Sequence, residues 1–298
     1  MTFAEAEPAH TPARSDSPAD LRRMAVFLAS AAAEHIRVRR REVGVGGGRA
    51  EGTDVKSSRV DPVTVVDRES EELIRGLVAS LRPGDAVFGE EEGGAGARAE
   101  GIRWVVDPID GTVNFLYGIP AFGVSVACEK DGRIVAGAVA DVAGGRIFHA
   151  AVGGGAALRD SSGREVELRC SAPEDLGVSL VATGFSYSAK RRAVQGALVA
   201  DLLADVRDIR RIGSAALDLC LLAAGGVDCY FEHGLNLWDW AAGALIAQEA
   251  GAVVKLPDPG AGTAEGELVA AAAPTVADEF FGALESRGAL GPISRNGG

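Results

Sequence analysis

Asp107 and Asp110, in the stretch WVVDPIDGTVNF at residues 104–115, are of a type and spacing that could do chemistry. An apolar run, Trp104 to Val106, leads into two carboxylates three residues apart. Pro108 and the Asp-Gly pair alone would suit a plain turn. Other acidic positions beside apolar stretches weigh against a turn alone: Asp67 in DPVTVVDRES, Glu90 and Glu91 in VFGEEEGG, and Asp239 in NLWDWAAG. Each sits where a strand or helix is expected to begin or end, at the rim of a sheet and not on a solvated face. Carboxylates gathered without neighbouring bases suit a hard divalent cation. Mg²⁺ takes oxygen ligands at about 2.0–2.1 Å and keeps several of its waters. On this pattern Asp107 ends the strand, Pro108 turns the chain, and the Ile109 carbonyl and Asp110 carboxylate face one point. Gly111 permits close approach of backbone to ligand. Thr112 adds a hydroxyl and opens a helical turn, so the Gly111 and Thr112 amides could receive an anion. Cation ligands next to anion-binding amides point to chemistry on a phosphate.

The elements that must position these groups are read from periodicity. Leu21, Met24, Leu28, Ala31, His35 and Val38 recur at helical spacing and predict a helix over about 20–41, with Asp20 as its N-cap. The glycine-rich stretch from Gly44 to Gly52 breaks the pattern, and it lacks the G-x-x-x-x-G-K-(S or T) form of a phosphate loop. Lys56 reads equally as a phosphate-side lysine and as a solvated one. Leu73, Ile74, Leu77, Val78 and Leu81 predict a second helix over about 68–81, stopped by Pro83-Gly84. Strands are expected at 86–88, 104–106, 122–128, 134–142 and 147–151, with EKDGR at 129–133 as a hairpin turn. Further on, strands are expected near 178–183, 207–212 and 229–231, and helices near 214–224, 239–250 and 275–284. Runs of strands mixed with helices predict an α+β or layered α/β architecture. The expected organisation is a disordered tail over 1–19, an N-terminal α+β half over 20–152 with most acidic positions, and a C-terminal α/β half over 153–298 with Asp239.

Composition narrows the partners. The chain has 298 residues, is 47% hydrophobic and carries a formal net charge of −12. That excess of acid argues against nonspecific nucleic-acid binding, which needs basic surface. No apolar run approaches the length of a membrane span. Residues 1–19 lack the apolar segment of a signal peptide. Cys128, Cys170, Cys220 and Cys229 form no C-x-x-C pair and have mostly apolar neighbours, which suggests free thiols in a reducing compartment. A cytoplasmic protein follows, with no membrane and no nucleic-acid partner expected. His10, His35, His149 and His233 show no ligand spacing, and the C-x₅-R of cysteine phosphatases is absent.

Taken in order, these stretches resemble the inositol monophosphatase family of Mg²⁺-dependent, Li⁺-sensitive phosphatases. DPIDGTVNF at 107–115 matches the family's D-P-(I or L)-D-G-T-x-N-(F or Y). WDWAAGALI, followed by EAGA at 249–252, matches its second motif, with Ala252 in place of the final glycine. DPVTVVD at 61–67, Gly89-Glu90-Glu91, RRIGSAALDLC at 210–220 and YFEHG at 230–234 match as well, and the likeness spans about residues 20–285. The resemblance implies a layered α-β-α-β-α sugar-phosphatase fold, with mixed, largely antiparallel sheets sandwiched by helices. It implies two to three Mg²⁺ ions: Glu90, Asp107 and the Ile109 carbonyl on the first, Asp107, Asp110 and Asp239 on the second, Glu90 and Asp67 near a weaker third. It further implies that Thr112 and Glu90 orient an attacking water and that the Gly111 and Thr112 amides hold the phosphate. Gly213, Ser214, Ala215 and Glu232 would line the sugar side, with Asp110 and Asp239 also facing substrate. The implied substrate is myo-inositol 1-phosphate or a similar small phosphate ester, and the implied assembly is a homodimer. Histidinol phosphate, fructose 1,6-bisphosphate and nucleotide 3′-phosphates belong to sister groups. GEEE carries three glutamates where two are usual, which leaves the register of the ligand open among them, and the resemblance points to Glu90. A haloacid-dehalogenase phosphatase would need D-x-D-G, and the spacing here is one residue longer. A protein- or RNA-binding scaffold without turnover is the rival from another class.

Overall fold

Strand alternation sets the layering, because successive side chains point to opposite faces of a sheet. The computed structural model describes residues 15–44, 54–55, 62–92 and 101–295. Its elements are α1 (Pro18–Glu42), β1 (Asp54–Val55), β2 (Pro62–Val63), α2 (Val65–Leu81), β3 (Ala86–Gly89), β4 (Ile102–Asp110), α3 (Thr112–Tyr117), β5 (Gly123–Lys130), β6 (Arg133–Asp141), β7 (Arg146–Ala151), β8 (Ala156–Arg159) and β9 (Glu165–Glu167). There follow β10 (Leu180–Thr183), α4 (Ala189–Leu202), β11 (Asp208–Arg210), α5 (Ala215–Ala223), β12 (Cys229–His233), α6 (Leu237–Glu249), β13 (Val253–Lys255), β14 (Leu268–Ala272) and α7 (Ala277–Ser286). A seven-stranded sheet runs β3-β4-β5-β6-β7-β8-β9, and a five-stranded sheet runs β11-β10-β12-β14-β13. In the larger sheet β3 and β4 are parallel and the other pairs antiparallel. In the smaller one β10 is parallel to β11 and β12, while β14 is antiparallel to β12 and β13.

Trp104, Val106, Val124, Val126 and Ala138 of the large sheet share one core with Leu21, Leu28 and Ile36 of α1 and Ile74 and Val78 of α2. The alternate residues Val105, Ala127, Val139 and Phe148 turn to the other face, into a core with α5, α6 and Tyr230, Val269 and Ala271 of the small sheet. Val181, Phe231, Ala270 and Ala272 complete the alternation against α4 and α7. The order is helix, sheet, helix, sheet, helix, the layered α+β fold the resemblance implied. α5 and α6 lie between two sheets, so burial runs along nearly every residue of α5 and most of α6. A helix buried on all sides shows no amphipathic stripe.

Several boundaries shift for physical reasons. The first helix starts at Pro18, where proline fits the first helical position, and Ser17 caps it by accepting from the Asp20 amide at 3.2 Å. Asp20 is therefore a first-turn acid and not the cap, and the described chain begins at residue 15, within the expected tail. Residues 1–14, most of the expected tail, lie outside the described residues, as do Lys56 and most of the glycine-rich stretch. Asp107 does not end its strand: β4 continues to Asp110. The expected division at residue 152 falls inside the seven-stranded sheet, since β8 and β9 belong to it. All four cysteines are free. Among the described residues, no helix is long and apolar enough to cross a membrane.

Candidate active site

β4 carries the first acids, and its irregularity aims them. Asp107 pairs with Ser125 and Asp110 with Gly123, with a register shift between them. In strict alternation residues three apart point to opposite faces. The shift, at a proline that has no amide to give the ladder, lets Asp107, Ile109 and Asp110 all reach one cavity. β3 runs parallel beside β4. The Glu90 amide donates to the Val106 carbonyl at 3.2 Å, extending the pairing and bringing Glu90 to the same cavity.

Helix starts supply the rest. At α2, the Asp67 carboxylate accepts from the Thr64 amide at 2.9 Å and from the Thr64 hydroxyl, forming a capping box. Its other oxygen lies 3.1 Å from the Thr112 hydroxyl, which is also 3.0 Å from the Ile109 carbonyl. One hydroxyl proton serves one acceptor at a time. At α5, Ser214 caps by accepting from the Leu217 amide at 3.3 Å and donates to Asp110 at 2.6 Å. The Ala216 amide donates to the same Asp110 oxygen at 2.7 Å. Asp239, in the first turn of α6, accepts from the Asn236 amide at 2.6 Å. At α3, Gly111 adopts φ 96° and offers no side chain to cap the first amides. A Cβ there would sit 3.0 Å from the Ala121 carbonyl oxygen and 3.1 Å from that of Gly213, so only glycine fits.

The cavity between these elements measures about 450 Å³. Its electrostatics are those of crowded acids. Burial pushes Asp110 up to about 6, opposed by hydrogen bonds from Ser214 and the Ala216 amide and reinforced by the Glu90 charge. Burial, with the charges of Glu90 and Asp110, holds Asp239 well above the usual carboxylate range. Glu232, on β12 and also lining the cavity, rises to about 7 through burial, although the Tyr230 hydroxyl donates to it at 3.0 Å. Crowded carboxylates that resist ionisation are relieved by a cation. Among the described residues, though, no three His, Cys, Asp or Glu side chains are grouped tightly enough to hold a metal by themselves. The donors that line the cavity are carboxylate and carbonyl oxygens, the kind Mg²⁺ takes, with water and substrate phosphate completing the shell.

The sequence profile of the inositol monophosphatase family matches residues 19–288. The chain belongs to that family. An inositol-1-monophosphatase of Mycobacterium leprae (strain TN) is 54% identical over 287 residues, covering 93% of this chain and 98% of that protein. A relative from Pasteurella multocida (strain Pm70) named Nus factor SuhB is 39% identical, over 78% of this chain and 85% of its own. The solved structure of Mycobacterium tuberculosis SuhB superposes with a TM-score of 0.79 at 48% identity, covering 93% of this chain and all of that one. The chain is a phosphatase, on family membership and on relatives of that identity and coverage.

Of the residues the family likeness singles out, Glu90, Asp107, Ile109, Asp110, Gly111, Thr112, Gly213, Ala215, Glu232 and Asp239 line one cavity. Two stand behind it. Asp67 is wholly buried at Thr112's back and is not on the cavity wall. Ser214, expected on the sugar side, is buried and spends its hydroxyl on Asp110. His233 reaches the wall, but its Nε2 is 2.8 Å from the Ala289 carbonyl oxygen and burial lowers its pKa, which fits a structural role. Phe185, Tyr187, Arg211 and Arg295 also line the cavity and were missed. Arg211 was legible in the RRIGSAALDLC motif. The other three come from loops and the C-terminal segment, and only the chain's return brings them there.

Proposed function

We propose that this phosphatase hydrolyses a small polyol phosphate, with myo-inositol 1-phosphate the leading candidate, by direct attack of water on phosphorus. One observation carries the proposal: the Glu90, Asp107, Asp110 and Asp239 carboxylates, the Ile109 carbonyl and the start of α3 all face one cavity. Glu90, Asp107 and the Ile109 carbonyl would hold one Mg²⁺, and Asp107, Asp110 and Asp239 a second. Bound there, the ions would supply a water of lowered pKa and positive charge for the departing oxygen. A third ion would need Asp67, which stands behind Thr112. When the Thr112 hydroxyl donates to Asp67, its lone pairs are left to accept from the attacking water, and Glu90 holds that water from the other side. The Gly111 and Thr112 amides take the phosphate oxygens. Glu232 faces the polyol.

The name Nus factor among the relatives raises a role without turnover. Against that as the sole function stands the complete acid set, because buried carboxylates are expensive to keep without a use. The net charge of −12 supports no nonspecific nucleic-acid binding. The four free cysteines support a cytoplasmic setting, and the family likeness supports a homodimer and inhibition by millimolar Li⁺. The test is a panel of phosphate esters with Mg²⁺, run on the native protein and on Glu232→Gln. Myo-inositol 1-phosphate should give the highest kcat/KM. Glu232→Gln should raise KM for it more than it lowers kcat for a small aryl phosphate. Preference for a sister substrate reassigns the ester, and equal loss on both substrates puts Glu232 with the metal ligands instead.

A further inference from the structure

GEEE offers three consecutive glutamates to one ligand position, and a slip of one residue would present a different one. What decides the register lies one helical turn beyond Asp67 on α2. Glu71 is 0% exposed and does not line the cavity. One of its oxygens accepts from the Glu91 amide at 2.8 Å, the other from the Glu92 amide at 3.1 Å. Arg75, a further turn along, binds the second oxygen through Nη2 at 2.7 Å and Nε at 3.0 Å. Arg75 also donates to the Val87 carbonyl at 3.2 Å and pairs with the Glu92 carboxylate at 3.2 Å. A Cβ on Gly89 would come within 2.3 Å of the Glu71 carboxyl carbon, so the backbone just before Glu90 lies flat on the clamp.

We infer that Glu71 is the positioning residue for Glu90: it grips the two amides that follow, with Arg75 locking the grip, so that Glu90 and neither neighbour faces the cavity. The inference rests on the site proposed above. Residues 67, 71 and 75 are spaced four apart and share one face of α2. That face therefore sets Thr112 through Asp67 and Glu90 through Glu71, the two groups placed on the attacking water. A carboxylate suits the task because it accepts from two amides at once and stays bonded to a guanidinium.

The test compares Glu71→Gln, Gly89→Ala and Glu90→Gln. An amide at 71 has one acceptor oxygen for two backbone donors and turns an N–H toward one of them. Gly89→Ala pushes the Glu71 carboxylate aside without changing any charge. Both should lower kcat about 10-fold or more while KM for the ester moves about 3-fold or less. Calorimetric titration of the ester-free protein with Mg²⁺ should show the Kd raised about 5-fold or more in both variants. If both variants bind Mg²⁺ and turn over like the native protein per folded molecule, and only their melting temperatures fall, Glu71 is a structural ion pair and the inference is overturned. If Glu90→Gln is also fully active, the fault lies with the site itself and not with the clamp.

Discussion

Asp239→Asn is expected to lower kcat by roughly 10²-fold or more, about 2.7 kcal/mol at the transition state, with partial rescue at high Mg²⁺. Asparagine keeps the shape, and its side-chain oxygen can still accept from the Asn236 amide that Asp239 binds at 2.6 Å. The charge is what is lost, and a neutral amide is a poor Mg²⁺ ligand. Stability without the cation should move the other way. Burial and the charges of Glu90 and Asp110 raise the folded-state pKa of Asp239 above its unfolded value. A carboxyl raised in this way stabilises the fold when protonated, below its unfolded pKa, and that contribution is lost as pH rises through the folded pKa. At neutral pH its ionisation works against folding, so the chelator-treated variant should melt at the same temperature as the native protein or higher. Kinetics and melting curves with and without EDTA check both arms. A variant that melts early, yet is fully active in its folded fraction, would make Asp239 a helix-start residue and nothing more.

Thr112→Ala should lower kcat by about 10²-fold or more, at the low end of what positioned proton acceptors contribute, and leave KM within a few-fold. Thr112→Ser, which keeps the hydroxyl, should recover most of the loss. Asp67→Asn separates helix capping from water orientation. Its oxygen can still serve the Thr64 amide, which Asp67 binds at 2.9 Å, but its NH₂ would then face the Thr112 hydroxyl now 3.1 Å from Asp67 Oδ1. The hydroxyl would turn to accept from that NH₂ and give its proton to the Ile109 carbonyl at 3.0 Å, so a lone pair meant for the water is taken up. Asp67→Asn should therefore resemble Thr112→Ala in kcat, with a smaller change in melting temperature than a lost cap gives, about 1 kcal/mol in stability. Full activity in Asp67→Asn, alongside loss in Thr112→Ala, would remove Asp67 from the water site.

The layered fold was legible because short alternating strands and helical runs announce themselves locally. Trp104 to Val106 and the 129–133 hairpin fell where expected, and β4 and β5 were simply longer. The missed elements were those without a local signal. β9 is exposed along its length, so no apolar alternation marks it. β14, LVAAA, is buried on both faces and reads as a plain apolar run. α4 carries Lys190, Arg192 and Gln195 and has only a narrow buried stripe. In the site, the acids were legible from type and spacing, but their division of labour was not. Asp67 and Ser214 have the residue types of cavity groups, and only tertiary packing shows that they stand behind Thr112 and Asp110. The Asp107 to Asp110 spacing suggested a turn at Pro108, whereas the strand absorbs the extra residue as a register shift. A local pattern records that a residue is extra, not whether the chain turns or bulges to take it up.

The most direct measurement is phosphate release from myo-inositol 1-phosphate by protein stripped of metal with EDTA, dialysed, and titrated with Mg²⁺. With Glu90, Asp107, Asp110 and Asp239 all lining one cavity, release should fall to background on stripping and return in full as Mg²⁺ is added. Undiminished release after exhaustive chelation would contradict a metal-dependent phosphatase built on these four carboxylates.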